Sequence, residues 1–149
     1  MNITRQQLSS FIHDRYIKRG EQIVEEGTIV LEKIHSEQIE AFAIGTGIYH
    51  VKLFKSNSSA QIKGTCNCPA FFDFGPCKHI AAAGLARMQV GYEPDDWCCE
   101  QIQIFKNALQ SLHKQPKENL ISIIMDCIAQ DQELLHLIPQ PQNTTDSNE

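Results

Sequence analysis

The chain has 149 residues, of which 42% are hydrophobic and 21% are charged, a balance that is ordinary for a soluble globular protein. This length favours one domain with room for a small helical appendage. The formal net charge is −5, and an acidic chain is a poor general binder of phosphate backbones, because such binding relies on clustered Lys and Arg. Residues 1–92 carry ten Lys and Arg against eight Asp and Glu, whereas residues 93–149 carry three against ten. Only the first part, at +2, therefore stays a candidate for contact with nucleic acid.

The sequence also indicates a compartment. No run of eighteen apolar residues is present, so we expect no membrane span. Residues 1–7 lack the apolar region of a secretory signal, and we expect a cytoplasmic protein, or a nuclear one if the source is eukaryotic. Thiols stay reduced in those compartments, where clustered cysteines are more often metal ligands or catalytic groups than disulfides.

Two helices are predicted at the N-terminus. Thr4 to Gln7 has the form of a capping box, in which each residue's side chain bonds the other's backbone amide. An apolar stripe at helical spacing then follows: Leu8, Phe11, Ile12 and Tyr16. Gly20 and Gly27 bracket a second, short helix that Gly27 closes.

From Thr28 onward the sequence is rich in β-branched and aromatic residues that are interrupted by turn residues. Strands are predicted within residues 29–34, 39–44 and 48–54, with a tight turn at Gly45–Gly47. These three strands form an antiparallel meander. A fourth strand over Ala60–Gly64 delivers the chain to Cys66.

The remainder of the chain is predicted to be helical. Residues 80–88 are alanine-rich and precede a break at Gly91–Pro94. Apolar residues at helical spacing predict further helices over 102–112 and 120–128, and a last short one over 134–138. Residues 139–149 are polar and are expected to be disordered.

Four metal-ligating side chains stand close together in the sequence: Cys66, Cys68, Cys77 and His79. Three thiolates and one imidazole are the ligand set of a closed, tetrahedral zinc site. Two cysteines separated by one residue point to the same face of a strand. Cys77 lies directly before a predicted helix, whose amides and dipole favour a thiolate. The spacing therefore predicts one structural Zn²⁺.

Three alternatives remain at this stretch. A disulfide between Cys66 and Cys68 would need unusual local geometry. A catalytic zinc would keep a position open for water and need a nearby acid or base, and Asp73 is the only acid between the two ligand pairs. A catalytic thiol–imidazole pair at Cys77 and His79 is the third alternative. No nucleophile–base constellation is present elsewhere, so we expect no enzymatic activity.

The pattern C-x-C-x8-C-x-H, with Pro69 after the second cysteine and Lys78 between the last two ligands, resembles the SWIM zinc finger. Upstream, Arg19–Gly20, Gly27 and the strand from Tyr49 are similar to the strand-rich region that precedes the finger in bacterial SWIM proteins. Residues 112–138 are similar to a helical extension that some of them carry. The resemblance implies that the four residues are zinc ligands.

The SWIM zinc finger occurs in Mutator-type transposases, plant transposase-derived transcription factors, Swi/Snf-type ATPases, recombination accessory factors and a ubiquitin-ligase kinase. This breadth implies DNA binding or protein contact and no single activity. The chain lacks a Gly-Lys-Ser/Thr phosphate loop, so a DNA-processing ATPase or a recombination factor would be a separate partner. We expect no small-molecule substrate and no membrane partner.

Basic and aromatic residues near the ligands are candidate contact residues. Five basic residues surround the zinc unit in sequence and form either a phosphate-binding face or an ordinary solvated surface: Lys52, Lys55, Lys63, Lys78 and Arg87. Three rings stand between the ligand pairs: Phe71, Phe72 and Phe74. They either form a surface that stacks on exposed bases or docks a partner, or they pack around the zinc and the helix, and packing is favoured. If one ring is exposed, Phe74, beside Gly75–Pro76, is the ring we expect.

The other three cysteines have no matching partner spacing. Cys127 lies on an apolar helical stripe and is predicted to be buried. A second metal site that combines Cys98 and Cys99 with His113 or His136 would rest on residue type alone.

The sequence thus predicts an α+β fold: N-terminal helices, a small antiparallel meander, a zinc knuckle followed by a helix, and a C-terminal helical extension. The predicted divisions are a zinc-binding domain at 1–92 with its finger at 60–90, an extension at 93–138 and a tail at 139–149. The favoured function is a protein-interaction module shaped by zinc, and the alternative is DNA binding by the basic face.

Overall fold

The structure is a computed structural model that describes residues 1–56 and 61–137. The chain divides into two compact units, residues 1–106 and 107–149, and the division falls within one helix. The domain boundaries drawn from the sequence stay predictions. The expected tail at 139–149 lies outside the described residues, as does Ala60.

The N-terminal region contains two helices, α1 (Arg5–Ser9) and α2 (Asp14–Glu25). The capping box is present, because Gln7 N donates to Thr4 Oγ1 at 3.2 Å and Thr4 N donates to Gln7 Oε1 at 2.9 Å. The sequence predicted one helix along the apolar stripe from Leu8 to Tyr16. In the structure this stripe is divided between two helices. The chain breaks after α1, and His13 Nδ1 accepts from Arg15 N at 3.2 Å to begin α2.

A four-stranded antiparallel sheet follows, in the order β1 (Ile29–Ile34), β2 (Gln38–Ile44), β3 (Ile48–Lys55) and β4 (Ile62–Cys66). The predicted meander and its fourth strand are therefore confirmed, with β4 beginning at Ile62. Val51 of β3 pairs with Cys66 at the end of β4. The sheet thus delivers the first ligand pair from its edge strand.

The rest of the chain is helical: α3 (Pro69–Phe74), α4 (Lys78–Met88), α5 (Asp96–His113), α6 (Lys117–Gln130) and a 3-10 helix (Gln132–Leu137). The segment between the two ligand pairs was expected to be a loop, and it contains α3. Pro69 occupies the first turn of this helix, and Gly75 ends it at a φ of +79°. Ile138, in the predicted last helix, lies outside the described residues.

Helix α4 lies at the centre of the first unit, where it contacts α1 and α2 as well as the sheet. Because it is covered on several sides, nearly all of its small side chains are buried: Ala81, Ala82, Ala83 and Ala86. Close approach is visible at Gly20 of α2, where a Cβ would lie 2.8 Å from the Cβ of Ala81. Gly20 therefore serves helix packing within α2 and is not a helix boundary.

The observed architecture is α+β, as predicted, with N-terminal helices, the meander, the ligand-bearing segment and C-terminal helices. Across residues 1–56 and 61–137, no helix has the length and apolar character needed to cross a membrane.

Candidate metal centre

The four predicted ligands come from the ends of three elements. Cys66 is the last residue of β4, and Cys68 precedes the first residue of α3. Cys77 is the N-cap of α4, and His79 is the second residue of that helix. The turn between the first two ligands is fixed by Asn67, whose Oδ1 accepts from His50 N at 2.8 Å.

The ligand atoms converge on one point. All four side chains are buried, and their Sγ and imidazole nitrogen atoms lie within 4.8 Å of one another. Zinc–ligand bonds of about 2.3 Å to sulfur and about 2.0 Å to nitrogen, at tetrahedral angles, separate ligand atoms by about 3.5 to 3.8 Å. His79 Nδ1 lies 3.8 Å from Cys66 Sγ and 3.9 Å from Cys77 Sγ. The residues therefore fit one zinc ion with no position left for water, which is the geometry of a structural site.

Electrostatics around the thiols also suit a metal. The pKa of Cys77 is lowered to about 4, chiefly because the Cys66 thiol donates a hydrogen bond to it, with help from His79 and the Ile80 amide. The same hydrogen bond, together with burial, raises the pKa of Cys66. Burial is the main cause of the raised pKa of Cys68. One thiolate is thus present without metal, and a dication would supply the charge that ionises the other two.

All six cysteines are free thiols, so the disulfide alternative for Cys66 and Cys68 is not formed. Within the described part of the chain, only one group of three or more His, Cys, Asp or Glu side chains is placed to hold a metal, and it is the group already described. The second site considered for Cys98, Cys99 and His113 is therefore not assembled. The side chain of His136 lies outside the described residues.

Cys127 was predicted to be buried, and that prediction is wrong because its side chain is exposed on α6. Its apolar stripe has exposed neighbours as well: Ile121, Ile123, Ile124 and Met125. Apolar periodicity identifies the helix but does not show which of its faces is covered in a single copy of the chain.

The five basic candidates differ in whether their charged groups have an ion-pair or hydrogen-bond partner. Lys52 Nζ lies 3.9 Å from Glu40, and Lys55 Nζ lies 3.0 Å from Glu37. Arg87 Nε donates to the Met1 carbonyl at 3.2 Å. Among the described residues, only Lys63 and Lys78 of the five have neither an ion pair nor a hydrogen bond from the charged group.

The three phenylalanines divide between core and surface. Phe71 packs against the core, as predicted for all three rings. Phe72 is 75% exposed and Phe74 is 69% exposed, so the packing prediction is wrong for both rings. Phe74 was the ring expected in solvent if one were exposed, and the structure exposes two. A helix of six residues presents only one side to the core, and the other rings are left in solvent.

Sequence reasoning missed the role of Tyr49, which it treated only as an alternating strand residue. The Tyr49 ring stacks on the His79 imidazole, with centroids 4.8 Å apart and planes 30° apart. The pairing of β3 with β4 is the signal that would have placed Tyr49 near the ligands. Val51 pairs with Cys66, and Tyr49 lies two residues from Val51 on the same face of β3.

The fold and the ligand geometry together define a structural zinc-binding module. Residues 49–87 match the family model of the SWIM zinc finger, and the match contains all four ligands. This segment, which lies within β3 to α4, is similar to the SWIM zinc finger, and its four ligands are suited to binding one zinc ion. A search of curated proteins and a search of solved structures each returned no match to the chain.

Proposed function

We propose that the chain is a non-enzymatic adaptor in which zinc holds a protein-docking surface in shape. The observation that carries the proposal is the exposure of two large aromatic rings, Phe72 and Phe74, on α3. Cys68 directly precedes this helix, and Cys77 follows it after two intervening residues, so zinc would fix both of its ends. Exposed aromatic rings on a rigid element are typical anchors of protein interfaces.

A groove beside Phe72 supports this assignment. It has a volume of about 320 Å³ and is lined by residues of β3, β4, α3 and the turn between β4 and α3: His50, Lys52, Thr65, Cys66, Asn67, Phe71 and Phe72. The Glu40 carboxylate lies 3.5 Å from the His50 imidazole and 3.9 Å from Lys52 Nζ, and it offsets the charge of the lysine. An apolar side chain of a protein partner suits this groove better than a phosphate does.

DNA binding is the second candidate, and Lys63 and Lys78 are the residues that favour it, because neither forms an ion pair among the described residues. The other three basic candidates are engaged as described above. Two free lysines give a weak phosphate-binding surface, since affinity grows with the number of phosphates neutralised. A protein partner is therefore favoured. From the resemblance of the finger, a DNA-processing ATPase or a recombination factor is the partner class we propose.

The compartment we propose is the cytoplasm, or the nucleus in a eukaryotic cell. Three cysteines that must remain available as thiolates support this, because oxidising compartments convert clustered cysteines to disulfides.

The docking surface is tested by affinity capture from the native cell with nuclease added or omitted. The bait proteins are the wild type, a Phe72→Ala/Phe74→Ala variant and a Val90→Ala control, in which a 98% exposed apolar side chain outside α3 is removed. We expect one set of proteins to be captured by the wild type and the control, with or without nuclease, and lost with the double variant. Capture that survives the double variant contradicts the docking surface.

DNA binding is tested separately by titrating duplex DNA at low salt, followed by fluorescence anisotropy. The adaptor assignment predicts no measurable affinity. Binding that falls steeply with salt, with a slope that flattens in a Lys63→Gln/Lys78→Gln variant, would establish the second candidate instead.

A further inference from the structure

The two ring nitrogens of His79 have different surroundings. Nδ1 faces the thiols of Cys66 and Cys77, at 3.8 and 3.9 Å. Nε2 points away from the thiols and is fully buried, with no hydrogen-bond partner among the described residues. The residue as a whole is only 4% exposed. One nitrogen is therefore positioned as a ligand atom, and the other is a buried polar atom whose partner is still to be assigned.

The turn between β2 and β3 surrounds this second nitrogen. A Cβ at Gly45 would lie 3.5 Å from Nε2 and 3.2 Å from Cε2 of Tyr49. Tyr49 stacks on the imidazole, and its hydroxyl is 2.6 Å from Thr46 Oγ1. These residues, together with the start of α3 and of α4, line a cavity of about 220 Å³. The imidazole is thus enclosed by a segment that contributes no metal ligand.

A histidine that binds a metal donates its other ring N–H to an acceptor, and this bond fixes the tautomer and the orientation of the ring. We propose that His79 binds zinc through Nδ1 and that the turn Gly45–Tyr49 positions its imidazole for this role. Tyr49 fixes the plane of the ring by stacking. Because Gly45 carries no side chain, the backbone of the turn lies beside Nε2 and shields the Nε2–H proton from solvent.

The proposal extends the zinc site beyond the finger. The family match begins at residue 49 and so includes Tyr49 but neither Gly45 nor Thr46. Both belong to the turn that joins β2 to β3, so the retention of zinc depends on the meander as well as on the ligand-bearing segment. Gly45, Thr46 and Tyr49 are positioning residues, since none of them supplies a ligand atom.

The choice of nitrogen is tested on the full-length wild-type chain, reconstituted with ¹¹³Cd in place of zinc. A metal on Nδ1 is three bonds from the ring proton Hε1 and four bonds from Hδ2, whereas a metal on Nε2 is three bonds from both. We expect cadmium coupling to Hε1 of His79 without coupling to Hδ2, and a protected proton on Nε2. Coupling to Hδ2, or coupling to neither ring proton, would overturn the assignment.

The positioning role is tested by paired glycine substitutions in the same turn. In Gly45→Ala the added methyl group lies 3.2 Å from Tyr49 Cε2, which is tight enough to displace the ring that stacks on His79. In Gly47→Ala the methyl group meets only atoms of Tyr49 at ordinary contact distances of 3.7 Å or more. Neither glycine has a positive φ, so backbone strain does not separate the two variants. We expect zinc transfer to a chelator to be about 10-fold faster in Gly45→Ala and unchanged in Gly47→Ala.

A second pair examines the stacked ring. Tyr49→Leu removes the ring and is expected to release zinc as quickly as Gly45→Ala does, with loss of the protected Nε2 proton. Tyr49→Phe keeps the ring and should retain both zinc and that proton. Equal release rates in Gly45→Ala and Gly47→Ala, together with normal retention in Tyr49→Leu, would refute the positioning role.

Discussion

At the scale of single residues, the zinc site depends on how three neighbouring thiols share their protons. Cys77 is the acidic member, with a pKa of about 4, because Cys66 donates a hydrogen bond to it. Cys66 and Cys68 have raised pKa values and hold their protons at neutral pH when no metal is bound. The site therefore favours a cation, since a bound dication displaces the protons of Cys66 and Cys68 and stabilises their thiolates.

This sharing of protons predicts the pH dependence of zinc binding. Because zinc ligands must be thiolates, binding at neutral pH releases the protons of Cys66 and Cys68, whereas Cys77 has none to release. Two released protons strengthen zinc affinity by about 100-fold for each pH unit of increase near neutrality. Titration calorimetry in buffers of different ionisation enthalpy measures the proton count directly. Zinc affinity that does not change between pH 6.5 and 7.5 would show that the thiols are already ionised.

At the scale of the elements, the position of α4 connects the site to the rest of the fold. The helix carries His79 near its first turn and packs against both the sheet and α2. Its alanines are all buried, which explains why the sequence there is small and apolar. A change in the spacing of α2 and α4 should therefore be transmitted to the helix that holds the metal.

Gly20→Ala tests this close packing. The added Cβ would lie 2.8 Å from the Ala81 Cβ and 2.9 Å from the Ala82 backbone nitrogen, so the helices must move apart. Alanine favours a helix over glycine by about 1 kcal/mol, but overpacking costs about 1 to 3 kcal/mol, and we expect net destabilisation. Denaturant unfolding of the zinc-bound protein measures it, with Gly47→Ala as the control, because its added methyl group makes only ordinary contacts at 3.7 Å or more. An increase in the free energy of unfolding would show that propensity outweighs packing here.

The elements also show what the sequence could and could not provide. The ligand set was predictable because four ligands at fixed short spacing are a local signal. The strands were predictable because Tyr49, Val51 and Leu53 alternate with polar neighbours. Helix α3 was missed because six residues are too few for a helical period and too short to be stable alone.

Other features, such as the position of Gly20 within α2, depend on tertiary contacts, and the spacing of apolar residues in the sequence does not reveal these contacts. Gly20 was read as a boundary, yet it lies within α2 because α4 approaches it closely. The exposure of Phe72 and the stacking of Tyr49 on His79 follow from how the strands and α3 are placed in space.

At the scale of the molecule, the first unit combines a four-stranded sheet, a central helix and one metal site. The three cysteine ligands and His79 are all buried, with exposures of 1% to 4%, so the metal would occupy the interior of the unit. A structural zinc site contributes its binding free energy directly to folding, and the unit should lose its cooperative unfolding when the metal is removed. The recognition surface on α3 should be lost at the same time.

The most direct test of this account is the zinc content and thermal unfolding of the purified chain, compared with its chelated form and with Cys77→Ala. We predict about one zinc per chain in the wild type and a single cooperative transition. The chelated protein and Cys77→Ala should hold no zinc and lose that transition, and added zinc should restore it only in the wild type. A metal-free wild-type chain that unfolds with the same cooperativity and midpoint would contradict a structural role for zinc.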